Sequence, residues 1–402
     1  MSNAVAVPSY QPEGWVQFPG HHEFSFNFRR VLGAAQEGAS TISECFLAAS
    51  KIKTGDVEDW HREWCSLGDT NRERAQAAEK SANLQTAKVN WLRAANYYRT
   101  AEFFLRRNDP RRMATFDNVE ECSHKYLALT NPAGEIIKVP YLDGAHLDAY
   151  FLRPYETKER LPTVICFGGL DEYKDELLHE IPKHAFPRGF AVLLVDLPGQ
   201  GGTLRRQRLY ARHDTEVPVA KCVDYLLTRP DVDPDRVLLY GASLGGYYAS
   251  RAAAFEHRLK ATVSDGGVYD YPRRFSSNRK VDPDGLLAEH LKFITGAKTL
   301  SEAIENTLGK FKLESVIGQI KSPYLLVFGE HDRLGIDQFD DAYATAKKGG
   351  VDVTLKVFTA AETGADHCQI DNPSIGQEYI FDWFASELKI DQAAAAKRAA
   401  FL

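Results

Sequence analysis

The sequence predicts an α/β protein: a mainly parallel sheet of eight strands, covered by helices on both faces and preceded by a helical domain. Three observations carry this. From about residue 124, short apolar and β-branched runs alternate with helical segments, as in parallel sheets joined by crossover helices. Before that point strand-like runs are few, and Ala, Glu, Arg, Gln and Leu are dense. In the middle of the alternating region, the apolar run Arg236-Val237-Leu238-Leu239-Tyr240 passes through Gly241-Ala242-Ser243-Leu244-Gly245 straight into a helical segment over 246–254.

Residues 1–122 are expected to form the helical domain. Residues 71–105 have helical periodicity, with Trp91, Leu92, Ala95 and Tyr98 on plausible buried stripes. Asn108-Asp109-Pro110 breaks that pattern. The aromatic side chains here (Trp60, Trp64, Trp91, Tyr97, Tyr98, Phe103, Phe104) admit two readings: the core of a helical bundle, or rings lining a substrate pocket.

Residues 123–402 are expected to form the sheet domain. Segments 125–129, 136–140 and 147–152 read as an antiparallel opening. A buried strand at 163–167, a helix at 176–185, a strand at 190–195 and a helix at 217–227 follow. After the strand at 236–240 and its helix come strands at 260–263, 323–328 and 353–358. The interval 269–320 interrupts the rhythm with mixed, largely helical sequence, and an insertion there would form a lid over the sheet's C-terminal edge. The alanine-rich run at 393–400 reads as a helical tail.

Composition excludes several function classes. With 402 residues, 44% hydrophobic and 26% charged, the chain fits an ordinary soluble globular protein, and a net charge of -6 gives no reason to expect nucleic acid or an anionic membrane as partner. The six cysteines are scattered without a CxxC pair, which suggests free thiols in a reducing compartment. No apolar stretch approaches the roughly 20 residues that span a bilayer, and Met1-Ser2-Asn3-Ala4-Val5 lacks the features of a secretory signal. A cytoplasmic location is therefore expected. No His/Cys/Asp cluster has zinc spacing and no GxGxxG opens a βαβ unit, so neither metal nor cofactor is expected.

The strand–Gly-x-Ser-x-Gly–helix arrangement is a nucleophile elbow, which forces its serine into a strained turn at the sheet edge. A serine hydroxyl needs a base beside it, and the base needs a third group to fix its tautomer and stabilise its charge. In α/β-hydrolases these follow in the order Ser, acid, His. Ser243 is the expected nucleophile. Asp332, in Gly329-Glu330-His331-Asp332, follows the seventh strand, and His367 alone among the histidines lies in the loop after the last strand. Asp265, in Ser264-Asp265-Gly266-Gly267, ends the strand before the insertion and is the alternative acid. The oxyanion hole needs two backbone N–H donors. Leu244 supplies one, and Gly169 or Leu170, in Phe167-Gly168-Gly169-Leu170, the other. The Asp196-Leu197-Pro198-Gly199-Gln200-Gly201-Gly202 loop reads as a structural turn, since no Gly-Lys-Ser/Thr follows it.

Several segments resemble the 2,6-dihydroxypseudooxynicotine hydrolase group of α/β-hydrolases and the related fungal hydrolases that shorten polyketide chains. They are Trp91-Leu92-Arg93-Ala94-Ala95-Asn96-Tyr97-Tyr98-Arg99, Ala101-Glu102-Phe103-Phe104-Leu105, Gly168-Gly169-Leu170-Asp171, Lys174-Asp175-Glu176, Pro198-Gly199-Gln200-Gly201, the elbow and His367-Cys368. The resemblance implies an α/β-hydrolase fold with an N-terminal helical cap domain over the active site. It implies hydrolysis of a carbon–carbon bond next to a ketone in an aromatic or polyketide-like substrate, and a homodimer. Ser243, Asp332 and His367 match the group's triad positions. Some members carry a functional carboxylate after the sixth strand; here Tyr269-Asp270-Tyr271-Pro272-Arg273-Arg274-Phe275 holds two arginines and no glutamate. A carboxylesterase or thioesterase using the same triad is the alternative activity.

Overall fold

The structure, a computed structural model, describes residues 17–276, 281–332 and 338–399. The N-terminal stretch read for a secretory signal, with the rest of residues 1–16, lies outside the described residues, as do 277–280 of the expected insertion. The sheet consists of β1 (Glu135–Pro140), β2 (His146–Leu152), β3 (Leu161–Phe167), β4 (Ala191–Val195), β5 (Val232–Ala242), β6 (Thr262–Asp265), β7 (Tyr324–Gly329) and β8 (Val353–Phe358). Their order is β1-β2-β4-β3-β5-β6-β7-β8. Only the β1–β2 and β2–β4 pairings are antiparallel; every other neighbour runs parallel. Every residue of β3 and β4 is buried, because helices cover both faces and leave no side for polar alternation.

Among the described residues, five helices precede the sheet: α1 (His22–Gly33), α2 (Ile42–Ala49), α3 (Val57–Lys80), α4 (Leu84–Glu102) and α5 (Arg111–Ala128). The Asp56 carboxylate starts α3 by accepting the N–H groups of Glu58 and Asp59, both at 3.0 Å. Trp60, Trp64, Tyr97 and Phe104 pack with Phe24 and Phe28 of α1 into a buried aromatic core. The Trp60 indole keeps its polar end satisfied by donating to the Thr100 carbonyl at 2.8 Å.

The expected strand at 125–129 is corrected: it is the last turn of α5 and its C-cap, with Leu127 turned into the core. The apolar alternation there has the local look of a strand, but the helix before it carries through. The break placed at residue 122 therefore falls inside a helix.

The expected helix at 176–185 is divided into α6 (Lys174–Glu180) and α7 (Pro182–Ala185), because Pro182 has no N–H to continue the first helix. Then come α8 (Gly201–Gln207), α9 (Glu216–Leu227) and α10 (Leu244–Phe255). The interval after β6 holds α11 (Arg273–Ser276), α12 (Leu286–Thr295) and α13 (Leu300–Asn306). The chain closes with α14 (Phe339–Lys348), α15 (Pro373–Glu387) and α16 (Gln392–Ala399). No helix among the described residues is long and apolar enough to cross a membrane.

Candidate active site

Ser243 sits between the end of β5 and the start of α10 with φ 56 and ψ −123, a conformation that L-residues rarely adopt. Small residues make that turn possible. A Cβ on Gly241 would run into the Gly245 carbonyl, and one on Gly245 into the Gly168 carbonyl. The strained turn is pinned by the Ser243 N–H, which donates to the Asp265 carbonyl at 2.7 Å.

Three sequence-predicted residues converge. His367 Nε2 lies 2.8 Å from Ser243 Oγ, and His367 Nδ1 lies 2.9 Å from Asp332 Oδ2. Asp332 is fully buried, which shields its attraction for the imidazole from solvent. The loop carrying His367 is held by a residue that sequence reasoning missed. The Asp371 carboxylate accepts the N–H groups of Gly364, Ala365 and Asp366 at 2.7, 3.2 and 3.0 Å.

Asp265, the alternative acid, does not pair with His367. Its Oδ2 accepts from the Tyr240 hydroxyl and its Oδ1 from the Gln369 amide, each at 3.2 Å. Burial pushes its carboxyl up to about 7, against the pull of the Gln369 hydrogen bond and the nearby His367.

The expected oxyanion donors lie beside the serine. Leu244 opens α10, so its N–H has no intrahelical acceptor. A Cβ on Gly169 would meet the Ser243 side chain at 2.7 Å, so only glycine lets that loop come so close. Leu170 lines the same cavity. Gln200 fixes this loop. Its amide donates to the carbonyls of both Gly168 and Gly169, and its own carbonyl accepts the Leu197 N–H at 3.0 Å. The loop expected to be a plain turn is thus tied to the oxyanion loop, a link visible only once β3 and β4 are neighbours.

A cavity of about 760 Å³ opens over Ser243. One wall is α1, through His22, Phe26, Arg29 and Arg30; another is the segment after β6, through Tyr271, Leu286, Leu287 and His290. None of the seven rings singled out in the helical sequence lines this cavity, and all seven lie in the bundle core; Phe103 also lines a small adjoining pocket beside Leu170 and His290. Amphipathic α1 reaches the site instead, and its sequence carries no catalytic signature. Arg29 ion-pairs with Asp366, the residue before His367, so α1 touches the histidine loop directly. Phe26 and Leu287 give the cavity apolar surface, while Glu172, His179 and Glu180 form a polar wall.

Comparison with known proteins agrees with this geometry. A family described as esterase FrsA-like matches residues 52–334. Hydrolase LUC6 of a Fusarium species is 30% identical over 343 residues, spanning 75% of this chain and 81% of LUC6. The 20-hydroxy-prefusarin hydrolase FUS2 of Gibberella moniliformis is 33% identical over 256 residues, spanning 61% of each chain. The crystal structure of 2,6-dihydroxy-pseudo-oxynicotine hydrolase superposes with a TM-score of 0.76 at 25% identity, covering 89% of this chain and 95% of that one. An elbow serine beside a histidine–aspartate pair, on this strand order and with these relatives, places the chain: it belongs to the FrsA-like esterase family and is an α/β-hydrolase.

Proposed function

We propose that the protein hydrolyses a carbon–carbon bond adjacent to a ketone in an aromatic or polyketide-like substrate, with Ser243, His367 and Asp332 as its catalytic triad. The single observation that carries the proposal is the unbroken Ser243–His367–Asp332 hydrogen-bond chain at 2.8 and 2.9 Å beneath a cavity of about 760 Å³. Resemblance to FUS2 and to 2,6-dihydroxy-pseudo-oxynicotine hydrolase supports the substrate class.

In this reading His367 takes the proton of Ser243 as Oγ attacks the ketone carbon. Asp332 holds the imidazole tautomer and stabilises the imidazolium. The N–H groups of Leu244 and of Gly169 or Leu170 receive the oxyanion. Collapse restores the carbonyl, breaks the carbon–carbon bond, and expels an enolate that His367 protonates. Water, deprotonated by the same histidine, then releases the acid from Ser243. Direct attack by a His367-activated water on the ketone is the variant route. Either needs a leaving group that stabilises negative charge on carbon, which an aromatic or conjugated ketone provides. The residues up to 122 act as a cap and 269–320 as part of a lid, and the enzyme works as a cytoplasmic homodimer without cofactor.

A second reading, carboxylesterase or thioesterase, is favoured by the family's description as esterase. The same triad serves both. Assaying β-diketones and acylated polyphenols beside p-nitrophenyl esters separates them: ketone cleavage is expected, and rapid ester turnover with no ketone cleavage would sink the first reading.

A further inference from the structure

We infer that Gln369, held by the Asp265 carboxyl, is a positioning residue for His367. This rests on His367 being the base of the triad. Ser243, Cys368 and Gln369 have φ of 56, 49 and 51, in the left-handed region that side chains disfavour. The nucleophile turn and the two residues after the base are thus both strained, and such conformations persist only where neighbours over-determine them. Asp265 touches both. Its carbonyl accepts the Ser243 N–H at 2.7 Å and the Cys368 thiol at 3.6 Å, and its carboxyl accepts the Gln369 amide at 3.2 Å. Asp371 ties down the residues before His367, and Gln369 is tied down just after it.

Space and partners are arranged around this contact. Gln369 and Asp265 are each 1% exposed, so their hydrogen bond is beyond the reach of water. Gly376 lies inside α15, where glycine weakens a helix. A Cβ there would run into the Gln369 side-chain carbonyl and lever the amide off Asp265. The carboxyl is fixed from its other side as well. Its second oxygen accepts from the Tyr240 hydroxyl at 3.2 Å, and that hydroxyl accepts from the Gln377 amide at 3.0 Å. A row of side chains from α15 through β5 and β6 therefore ends on the residue two places after the base.

Neither Gln369 nor Asp265 lines the cavity over Ser243, so neither binds substrate or takes its proton. An effect of either on the reaction has to pass through His367. A base moved out of line slows proton transfer from Ser243 and leaves binding in the cavity alone. A contact that merely anchors the loop would cost stability and leave the rate unchanged.

The test is labelling of Ser243 in the full chain by diisopropyl fluorophosphate, followed by intact mass. Oγ bonds to phosphorus, fluoride leaves with the P–F electron pair, and His367 takes the hydroxyl proton. Gln369→Met keeps the length of the side chain and removes its amide. Its limiting rate, kinact, is expected to fall about tenfold with KI unchanged. Asp265→Ala should fall equally, whereas Asp265→Asn, which keeps an oxygen for the amide, should stay near wild type. The double variant Asp265→Ala/Gln369→Met should be no slower than either single one, since both remove the same contact. Should Gln369→Met fail to fold, the two Asp265 variants carry the comparison. An unchanged kinact with a lower melting temperature overturns the inference, as does a rise in KI alone or a pair of losses that multiply in the double variant. His367→Ala keeps the two readings apart. If it is unreactive while Gln369→Met labels at the wild-type rate, this inference alone falls. If it labels at the wild-type rate, or wild type takes no label, the triad falls and the inference with it.

Discussion

At Ser243, position and chemistry are set by different neighbours. Gly241 and Gly245 permit the strained turn, while His367 and Asp332 stand in line behind the hydroxyl, as the proposed triad requires. Ser243→Ala should therefore abolish hydrolysis and leave the melting temperature close to wild type; an active variant would displace Ser243 as nucleophile. Asp265 has a different consequence. Its carboxyl is pushed up to about 7 in the folded chain, whereas an unfolded aspartate titrates near 3.9. Between those values the folded state holds a proton that the unfolded state has released, so this group's contribution to stability falls as pH rises from about 4 to about 7. Asp265→Asn removes the titration. The melting-temperature difference, variant minus wild type, should grow from pH 5 to pH 7 and level off above; a constant difference would show that Asp265 does not titrate there. The convergence of the three residues proposed as a triad is legible in the sequence because each follows a strand end in a fixed chain order. The choice between Asp332 and Asp265 is not, because both follow strands that end at the same edge. Only the direction of His367 Nδ1 separates them.

Elements set the distances between these residues. The oxyanion loop is held by Gln200 from the loop after β4, and the histidine loop by Asp371. Gln200 touches neither the nucleophile nor the base, so its loss should blur the oxyanion donors without altering the cavity wall. For Gln200→Ala, kcat is expected to fall by about tenfold to a hundredfold, toward the cost of losing one oxyanion donor, with KM nearly unchanged. A matching rise in KM would instead assign Gln200 to substrate binding. Helix α1 acts on a second front. Its Arg30 pairs with the buried Glu176 and with Asp171, so Arg30→Met removes one of the two arginines that balance these carboxylates at the helix–sheet junction and leaves them to Arg99. Urea titration should show a loss on the order of 3 kcal/mol; a change within experimental error would mean that Arg99 alone holds Glu176. Neither link could be read from sequence. Strand order makes neighbours of loops that are far apart in the chain, and α1 shows only an amphipathic pattern until its partner face is known.

The whole molecule joins its helical layer to its sheet through buried ion pairs rather than through apolar surface alone. Glu102 of α4 meets Arg205 of α8 at 2.7 Å and Arg112 of α5 at 3.0 Å. Glu120 of α5 meets Lys174 of α6 at 2.9 Å, and Arg30 and Arg99 meet Glu176. These groups lie in low dielectric, where losing one partner strands a charge that water cannot reach. Separating the layer from the sheet would strand all of them together, so the two parts should unfold as one. Trp60, Trp64 and Trp91 report on the helical layer once Trp383, which packs on the sheet side, is replaced by Phe, and far-UV ellipticity reports on the entire chain. In urea the fluorescence and ellipticity transitions are expected to coincide. Glu102→Ala, which leaves Arg112 and Arg205 unmatched, should move both midpoints down together. A fluorescence transition that runs ahead while most ellipticity remains would mean that the layer melts alone, and that the cavity between α1 and the sheet opens by partial unfolding rather than by movement of the segment after β6.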